Sequence, residues 1–395
     1  MKTVGIIAEY NPFHKGHALH VGQTVRRGAS HIVAVMSSSF VQRGESAILS
    51  KFARAQSAIS GGADLVIELP VVWSTANAQN FALGGVKILD SLGCVDAISF
   101  GSESGDVELL KESVRIIESE RFSQRLKEQL EKGISFAKAR ENAVKKMGFD
   151  ASAFESPNDT LGMEYIAALN RISSDIEPWA IKRVGASHDS TEHNVQAVSA
   201  SYIRENIKNN FEIKDLIPDS TYSVIQSEEK LGRYPALFSK LETAVIASLR
   251  QKSVSEIKKA PDVSEGIENR IYSAVREGTS LEEIYALAKS KRYSHARVRR
   301  IILNSFLGIK SEDVLVSPPY ARVLAFNEKG REILRLAKKS SEIPIIMKTS
   351  QISELDETAK RIFELECRAS DMFALTMPKP VRCGEDFFYK INIFE

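Results

Sequence analysis

The chain has 395 residues, 43% apolar and 26% charged, with 53 Lys and Arg against 51 Asp and Glu, a net charge of +2. That length and composition suit two or three globular domains with a sizeable core, and the near-balance of charge excludes a uniformly basic nucleic-acid binder, so any basic surface is local. No apolar run approaches the roughly 18–20 residues of a membrane span, the first residues do not read as a secretory leader, and Cys94, Cys367 and Cys383 are spaced for neither a disulfide framework nor a zinc site, which together predict a cytoplasmic protein with reduced thiols.

In chain order, "TVGIIAEY" predicts a first buried strand, "HIVAVM" (31–36) a second, "DLVIELP" (64–70) a third, "VDAISFG" (95–101) a fourth and "EPWAIKRVG" (177–185) a fifth. Helical stretches such as "GHALHVGQTVRRG" and "SKFARAQSAISGG" lie between them, the second stopped by Gly61 and Gly62. Continuous apolar strands separated by helices predict an α/β domain over residues 1–200, a doubly wound parallel sheet of Rossmann type with its ligands at the carboxyl ends of the strands. Beyond residue 200 the texture becomes helical: "ALFSKLETAVIASLRQKS", "EGIENRIYSAVREG", "SLEEIYALAKS" and "SHARVRRIILNSFLG" carry the 3.6-residue period. A mainly helical second domain is expected over 201–395, with a small α/β segment at about 318–350 and a terminal helix near 354–375.

The first strand runs into "NPFHKGHALH" (11–20) at the start of the first helix. A helix N-terminus presents unpaired N–H groups and the positive end of a dipole, which suits phosphate. Gly16 lets a ligand approach the backbone, and His14 and His17, three apart, share one side of the first turn. Read alone, they are equally ordinary surface histidines in a polar turn. "FGSES" ends the fourth strand with Gly101, a ligand approach or a simple turn. "SPNDTLG" (156–162) offers Asn158, a ligand contact or a helix cap. Arg183 follows the fifth strand and suits a phosphate or a base. Ser201 and Arg204 in "SASYIR" open a later helix, where Ser199 or Ser201 serves equally as a cap. Gln42, Arg43, Lys51 and Arg54 follow the second strand and face the same end of the sheet; for Lys51 and Arg54 a solvated helix face is the plain alternative. Asp64 and Glu68 read as structural. "KSKRYSHARVRR" (289–300) places Arg292, Arg297 and Arg300 on one basic face beside Tyr293, a pattern for RNA phosphates and a stacked base, or for a solvated helix.

The H-x-G-H string after a first strand resembles the signature of the HIGH-type nucleotidyltransferase superfamily. The longer strings "GIIAEYNPFHKGHALH", "SSSFVQRGESAILSKFARAQSAISGGADLVIELP" and "SPNDTLGMEYI", in that order, resemble one family, the bacterial tRNA(Met) cytidine acetate ligases. Lys15 stands where that family most often has Asn, and Tyr202 where a small hydroxyl residue is common. The resemblance implies activation of acetate by ATP to acetyl-adenylate, with release of pyrophosphate. The acetyl group then passes to N4 of the wobble cytidine of elongator tRNA(Met). It implies His14 and His17 as the residues stabilising the phosphates. It implies an ATP-binding loop of Ile7, Ala8, Glu9, Tyr10, Asn11, Pro12, Phe13, His14, Lys15, Gly16, His17, Ala18, Leu19 and His20, with further ATP contacts from Gly101, Asn158, Arg183 and Val184. Ser201, Arg204, Gln42, Arg43 and Lys51 are weaker candidates for phosphate or substrate, and Arg292, Tyr293, Arg297 and Arg300 are the candidates for tRNA. Mg2+ is expected with ATP, bound by phosphates and water. Two other readings share parts of this pattern: a small-molecule adenylyltransferase, which has no use for the basic helix, and a noncatalytic RNA-binding protein with a vestigial nucleotide pocket.

Overall fold

The computed structural model describes residues 1–183 and 198–394. Ten strands are present among them: β1 (Thr3–Ala8), β2 (His31–Ser37), β3 (Phe40–Val41), β4 (Glu45–Ser46), β5 (Leu65–Leu69), β6 (Ala97–Ser102), β7 (Glu177–Lys182), β8 (Ala321–Phe326), β9 (Ile345–Ile346) and β10 (Asn392–Ile393). Eight form one sheet in the order β10-β8-β5-β2-β1-β6-β7, with β9 added beside β8. The five strands expected from the sequence are mutually parallel. The chain winds outward from β1 through β2 to β5, then returns to place β6 and β7 on the other side of β1. The reversal leaves a crevice beyond the carboxyl ends of β1 and β6, the place where an open α/β sheet takes its ligand.

Side-chain alternation along the strands builds two cores. Val33 and Val35 of β2 face one side with Leu65 and Ile67 of β5. Ile32, Ala34 and Met36 face the other, where Phe52, Ala55 and Ile59 of helix α2 (Lys51–Ser60) cover them. With both faces covered, β2 and β5 are buried along their whole length. Among the described residues no helix is long and apolar enough to cross a membrane, and the three cysteines are free.

The small α/β segment expected near 318–350 does not stand apart in the C-terminal half. Its strand β8 pairs antiparallel with β5, Leu65 opposite Phe326, and β10 pairs with β8. Without β8, β5 would be a long apolar edge, so the C-terminal half closes the sheet of the N-terminal half. A boundary at residue 200 therefore cuts through one sheet. The reason is a set of buried charges distant in sequence. Lys51 of α2 sits 2.6–2.8 Å from carboxylate oxygens of Glu68 in β5, Glu366 in the helix Glu357–Ala374, and Asp386. Arg322 of β8 joins the same group through Glu68 and Asp386.

Candidate active site

Helix α1 (Lys15–Arg26) begins directly after β1, and its two signature histidines form its N-terminal cap. The Gly16 N–H donates to His14 Nδ1 at 3.0 Å, and the His14 N–H donates to His17 Nδ1 at 3.3 Å. This is a capping box in which imidazole nitrogens replace the usual hydroxyl and carboxylate. Since each Nδ1 accepts, each neutral ring carries its proton on Nε2, which leaves that N–H free for a ligand. The rings stack with centroids 3.8 Å apart. Burial, then the charges of Arg183 and Arg204, lowers the pKa of His14 to about 4. His17 is pushed the same way by burial and by His14, His20 and Arg183. The site thus holds two neutral donors at a helix N-terminus, in a field that favours an anion. Gly16 is required for a second reason besides ligand approach: a Cβ there would lie 2.8 Å from the His14 ring.

These groups line a cavity of about 400 Å³. Ile7, Ala8, Glu9, Tyr10, Asn11, Leu19 and His20 line it too, as do Gly101 at the end of β6, Asn158 and Arg183. His20 is tied to the sheet by a 2.9 Å hydrogen bond to Ser99 Oγ, and burial with Arg183 holds its pKa down to about 4. Pro12, Phe13, Lys15 and Ala18, expected in the loop, are not part of this lining. Phe13 is fully buried beneath the loop, in the core that α2 covers. Asn158 lies in the first turn of the helix Pro157–Ile172, but its amide donates to Glu103 at 2.5 Å, so its side chain fixes the loop after β6. Val184 lies outside the described residues. The sequence reading missed Phe81, Leu161 and Tyr165, which form apolar lining of the cavity; nothing in an isolated aromatic residue distinguishes this role from a core role.

Three of the weaker candidates are placed elsewhere. Lys51 reaches neither a phosphate nor solvent: it is 1% exposed and locked among three carboxylates. Burial alone would lower its pKa, but Asp386, Glu366 and Glu68 outweigh that and raise it. Arg204 is buried and donates to the Asn11 carbonyl at 2.9 Å and to Ser201 Oγ at 3.3 Å, so this pair braces the loop from behind. Ser199, not Ser201, caps their helix. Arg54, whose solvated-face reading also fails, is buried and donates to the carbonyls of Glu9, Ser37 and Ser38, holding the ends of β1 and β2 together. Gln42 and Arg43 do line the cavity, from the turn between β3 and β4.

A second cavity, about 950 Å³, shares Ala78 and Thr160 with the first. Arg140, Arg171, Arg292, Arg297 and Arg300 line it. Arg297 and Arg300, on the helix His295–Leu307, are held by Asp262, through its carbonyl at 2.9–3.0 Å and its carboxylate at 3.1 Å respectively. Tyr293 is not available to stack on a base. It is 5% exposed, and its hydroxyl donates to the Glu265 carbonyl at 2.6 Å.

The model of the HIGH Nucleotidyl Transferase family matches residues 1–385. The chain belongs to this family. Among its relatives is the tRNA(Met) cytidine acetate ligase of Caldanaerobacter subterraneus subsp. tengcongensis, 41% identical over 99% of both chains. That of Acetivibrio thermocellus is 39% identical over 100% of both. Two solved structures of Thermotoga maritima TmcAL cover 100% of each chain. The apo form has a TM-score of 0.93 at 34% identity, and the form bound with alpha-thio ATP 0.92 at 33%. The crevice at β1 and β6 thus carries the paired histidines of an H-x-G-H string in a chain of the HIGH family, and the fold is shared with a solved structure bound with alpha-thio ATP.

Proposed function

We propose that the protein is an ATP-dependent tRNA(Met) cytidine acetate ligase. The supporting observation is the joining of a HIGH-family crevice to a five-arginine cleft, in a chain similar over its full length to enzymes of that name. In the first step an acetate oxygen attacks the α-phosphorus of ATP. The new O–P bond gives acetyl-adenylate, and the bond to the β-phosphate breaks as pyrophosphate leaves with the electron pair. Such a reaction asks the protein for position and charge stabilisation, not covalent chemistry. The Nε2–H groups of His14 and His17 and the α1 N-terminus meet the phosphates, while Gly101 and Arg183 border the nucleoside side. In the second step cytidine N4 attacks the acetyl carbon, AMP leaves, and N4 loses a proton.

Mg2+ would enter with ATP, held by phosphate oxygens and water, and would supply neutralisation of phosphate charge. Arg292, Arg297 and Arg300 supply phosphate contacts for elongator tRNA(Met) in the second cavity, which opens beside the nucleotide. A tRNA substrate places the protein in the cytoplasm. Incubation with ATP, labelled acetate and tRNA, followed by digestion to nucleosides, tests the proposal. Label in N4-acetylcytidine supports it. ATP–pyrophosphate exchange that runs equally well without acetate refutes the adenylate step.

A further inference from the structure

The turn of the β3–β4 hairpin places Gln42 against the candidate nucleotide cavity. Gln42 lines that cavity, and its side-chain Nε2 is buried with no hydrogen-bond partner among the described residues. Its backbone is fixed: the Gln42 N–H donates to Glu9 Oε1 at 3.1 Å. The turn itself rests on the helix His295–Leu307, where Glu45 pairs with Arg299. A buried N–H without an acceptor is costly, and in a ligand site it marks the place of an acceptor on the ligand. The sheet order decides which ligand. β6 and β2 flank β1 on opposite sides. Gly101 and Arg183 line the cavity from the β6 side, the side given to the nucleoside in the ligase reading, whereas Gln42 arrives from the loop after β2.

We infer that Gln42 is a substrate-binding residue whose amide N–H holds and aims the carboxylate of acetate at the α-phosphorus; this rests on the ligase reading above. One carboxylate oxygen accepts from Nε2 while the other forms the O–P bond and pyrophosphate departs with the electron pair; no proton moves. A neutral amide suits the task. A lysine or arginine at the same point would draw charge away from the attacking oxygen. Arg43, on the same turn, and buried Arg204 behind the loop offset the charge of Glu9, which lines the same cavity.

Acetate-dependent ATP–pyrophosphate exchange by the full-length protein tests this. In Gln42→Ala the KM for acetate rises about 10–100-fold, the span expected for a hydrogen bond to a charged group, and the KM for ATP stays within about twofold of wild type. Gln42→Glu, nearly isosteric, is worse than Gln42→Ala because its carboxylate repels acetate. Gln42→Asn keeps the amide with a shorter reach and gives the same readout should alanine disturb the turn. An unchanged acetate KM in Gln42→Ala overturns the assignment, as does a Gln42→Glu variant milder than Gln42→Ala, which is the order a shape-filling role produces. A parallel rise in the KM for ATP overturns it in favour of a nucleotide contact. Failure of the ligase reading is seen separately, in the wild type, as exchange that does not need acetate.

Discussion

In the proposed function His14 has two tasks on two different nitrogens, and two substitutions separate them. Its Nδ1 accepts from the Gly16 N–H and so caps α1, while its Nε2–H is free in the cavity. In His14→Asn the side-chain oxygen takes the place of Nδ1 and the cap survives, but nothing reaches the position of Nε2. In His14→Gln the terminal amide reaches toward Nε2 while the cap is lost. Loss of a cap costs about 1 kcal/mol, a melting shift of about 1–3 °C in a chain of this size. Loss of one donor to developing transition-state charge costs about 3–4 kcal/mol, about 10²–10³ in rate. His14→Asn is therefore expected to melt near wild type and to lose two to three orders of magnitude in pyrophosphate exchange. His14→Gln is expected to melt a little earlier and to lose much less rate. Both variants should keep wild-type tRNA affinity in filter binding. A His14→Asn enzyme with full exchange activity would refute the phosphate role. The neutral rings add a condition. With the pKa of His14 held to about 4 by burial and by Arg183 and Arg204, kcat/KM for ATP should show no inflection near pH 6.5. An inflection there that disappears in His14→Asn would contradict the assigned protonation state.

Replacing Lys51 by Met leaves Glu68, Glu366 and Asp386 facing Arg322 alone. Breaking a buried ion pair in this way costs about 3–5 kcal/mol, read as a lower urea midpoint at pH 8; the gap to wild type should narrow toward pH 5 as the carboxylates take up protons, and a gap independent of pH would show that charge is not its source. Wild-type stability should itself fall as pH drops from 6.5 toward 4, because the unfolded chain binds protons that buried His14 and His20, with pKa values of about 4, refuse. Glu366 acts with the opposite sign: burial and Glu68 raise its pKa to about 7, so protonation of the folded form adds stability as pH falls from 7 toward the ordinary carboxylate range. A urea-midpoint series against pH in wild type and in Glu366→Gln separates the two, and no loss below 6.5 in Glu366→Gln would mean the histidines are not kept neutral. Gly44→Ala should disturb the hairpin turn, since φ is +75° and a Cβ would lie 2.7–2.8 Å from backbone atoms of Arg299 and Arg300. The acetate KM is expected to rise about tenfold, within the loss expected for one misplaced hydrogen bond, whereas Gly148→Ala, with a similar φ but open space around it, leaves it unchanged. Charge reversal at exposed Arg292 should weaken tRNA binding and lower the salt slope by about one; an unchanged slope removes it from the RNA surface.

What could be read from the sequence was what is local. The five parallel strands announced themselves as short apolar runs, and the histidine turn as a strand running into a helix start, because periodicity and capping act within a few residues. The structure sets aside the alternative of ordinary surface histidines: both rings cap α1 through Nδ1, which leaves Nε2 for the proposed phosphate role. What could not be read depends on partners far along the chain. Lys51 and Arg54 sit in a helix whose pattern admits a solvated face, and only Glu68, Glu366, Asp386 and the carbonyls at Glu9, Ser37 and Ser38 explain why both are buried. Tyr293 lies in a basic run that suggests RNA stacking. Its ring is claimed by the core and its hydroxyl by Glu265.

The same long-range bonds change what the C-terminal half is for. Glu366 accepts from Lys51 and from Ser38 at the end of β2. Arg54, one turn along α2 from Lys51, joins the carbonyls of Ser37 and Ser38 to that of Glu9 in the cavity wall. An unbroken path of hydrogen bonds therefore links the helix Glu357–Ala374 to the loops after β1 and β2. On the other side, the helix His295–Leu307 holds the β3–β4 hairpin through Arg299 and Glu45 while presenting Arg297 and Arg300 to the second cavity. One element thus touches both the proposed acetate residue's turn and the proposed RNA cleft. A site that must hold an acyl-adenylate until a polynucleotide arrives needs its two substrates placed by one rigid body. In this chain the C-terminal half closes the sheet, buries the charges that fix the nucleotide loops and carries the arginines, so adenylation and acyl transfer share a single frame.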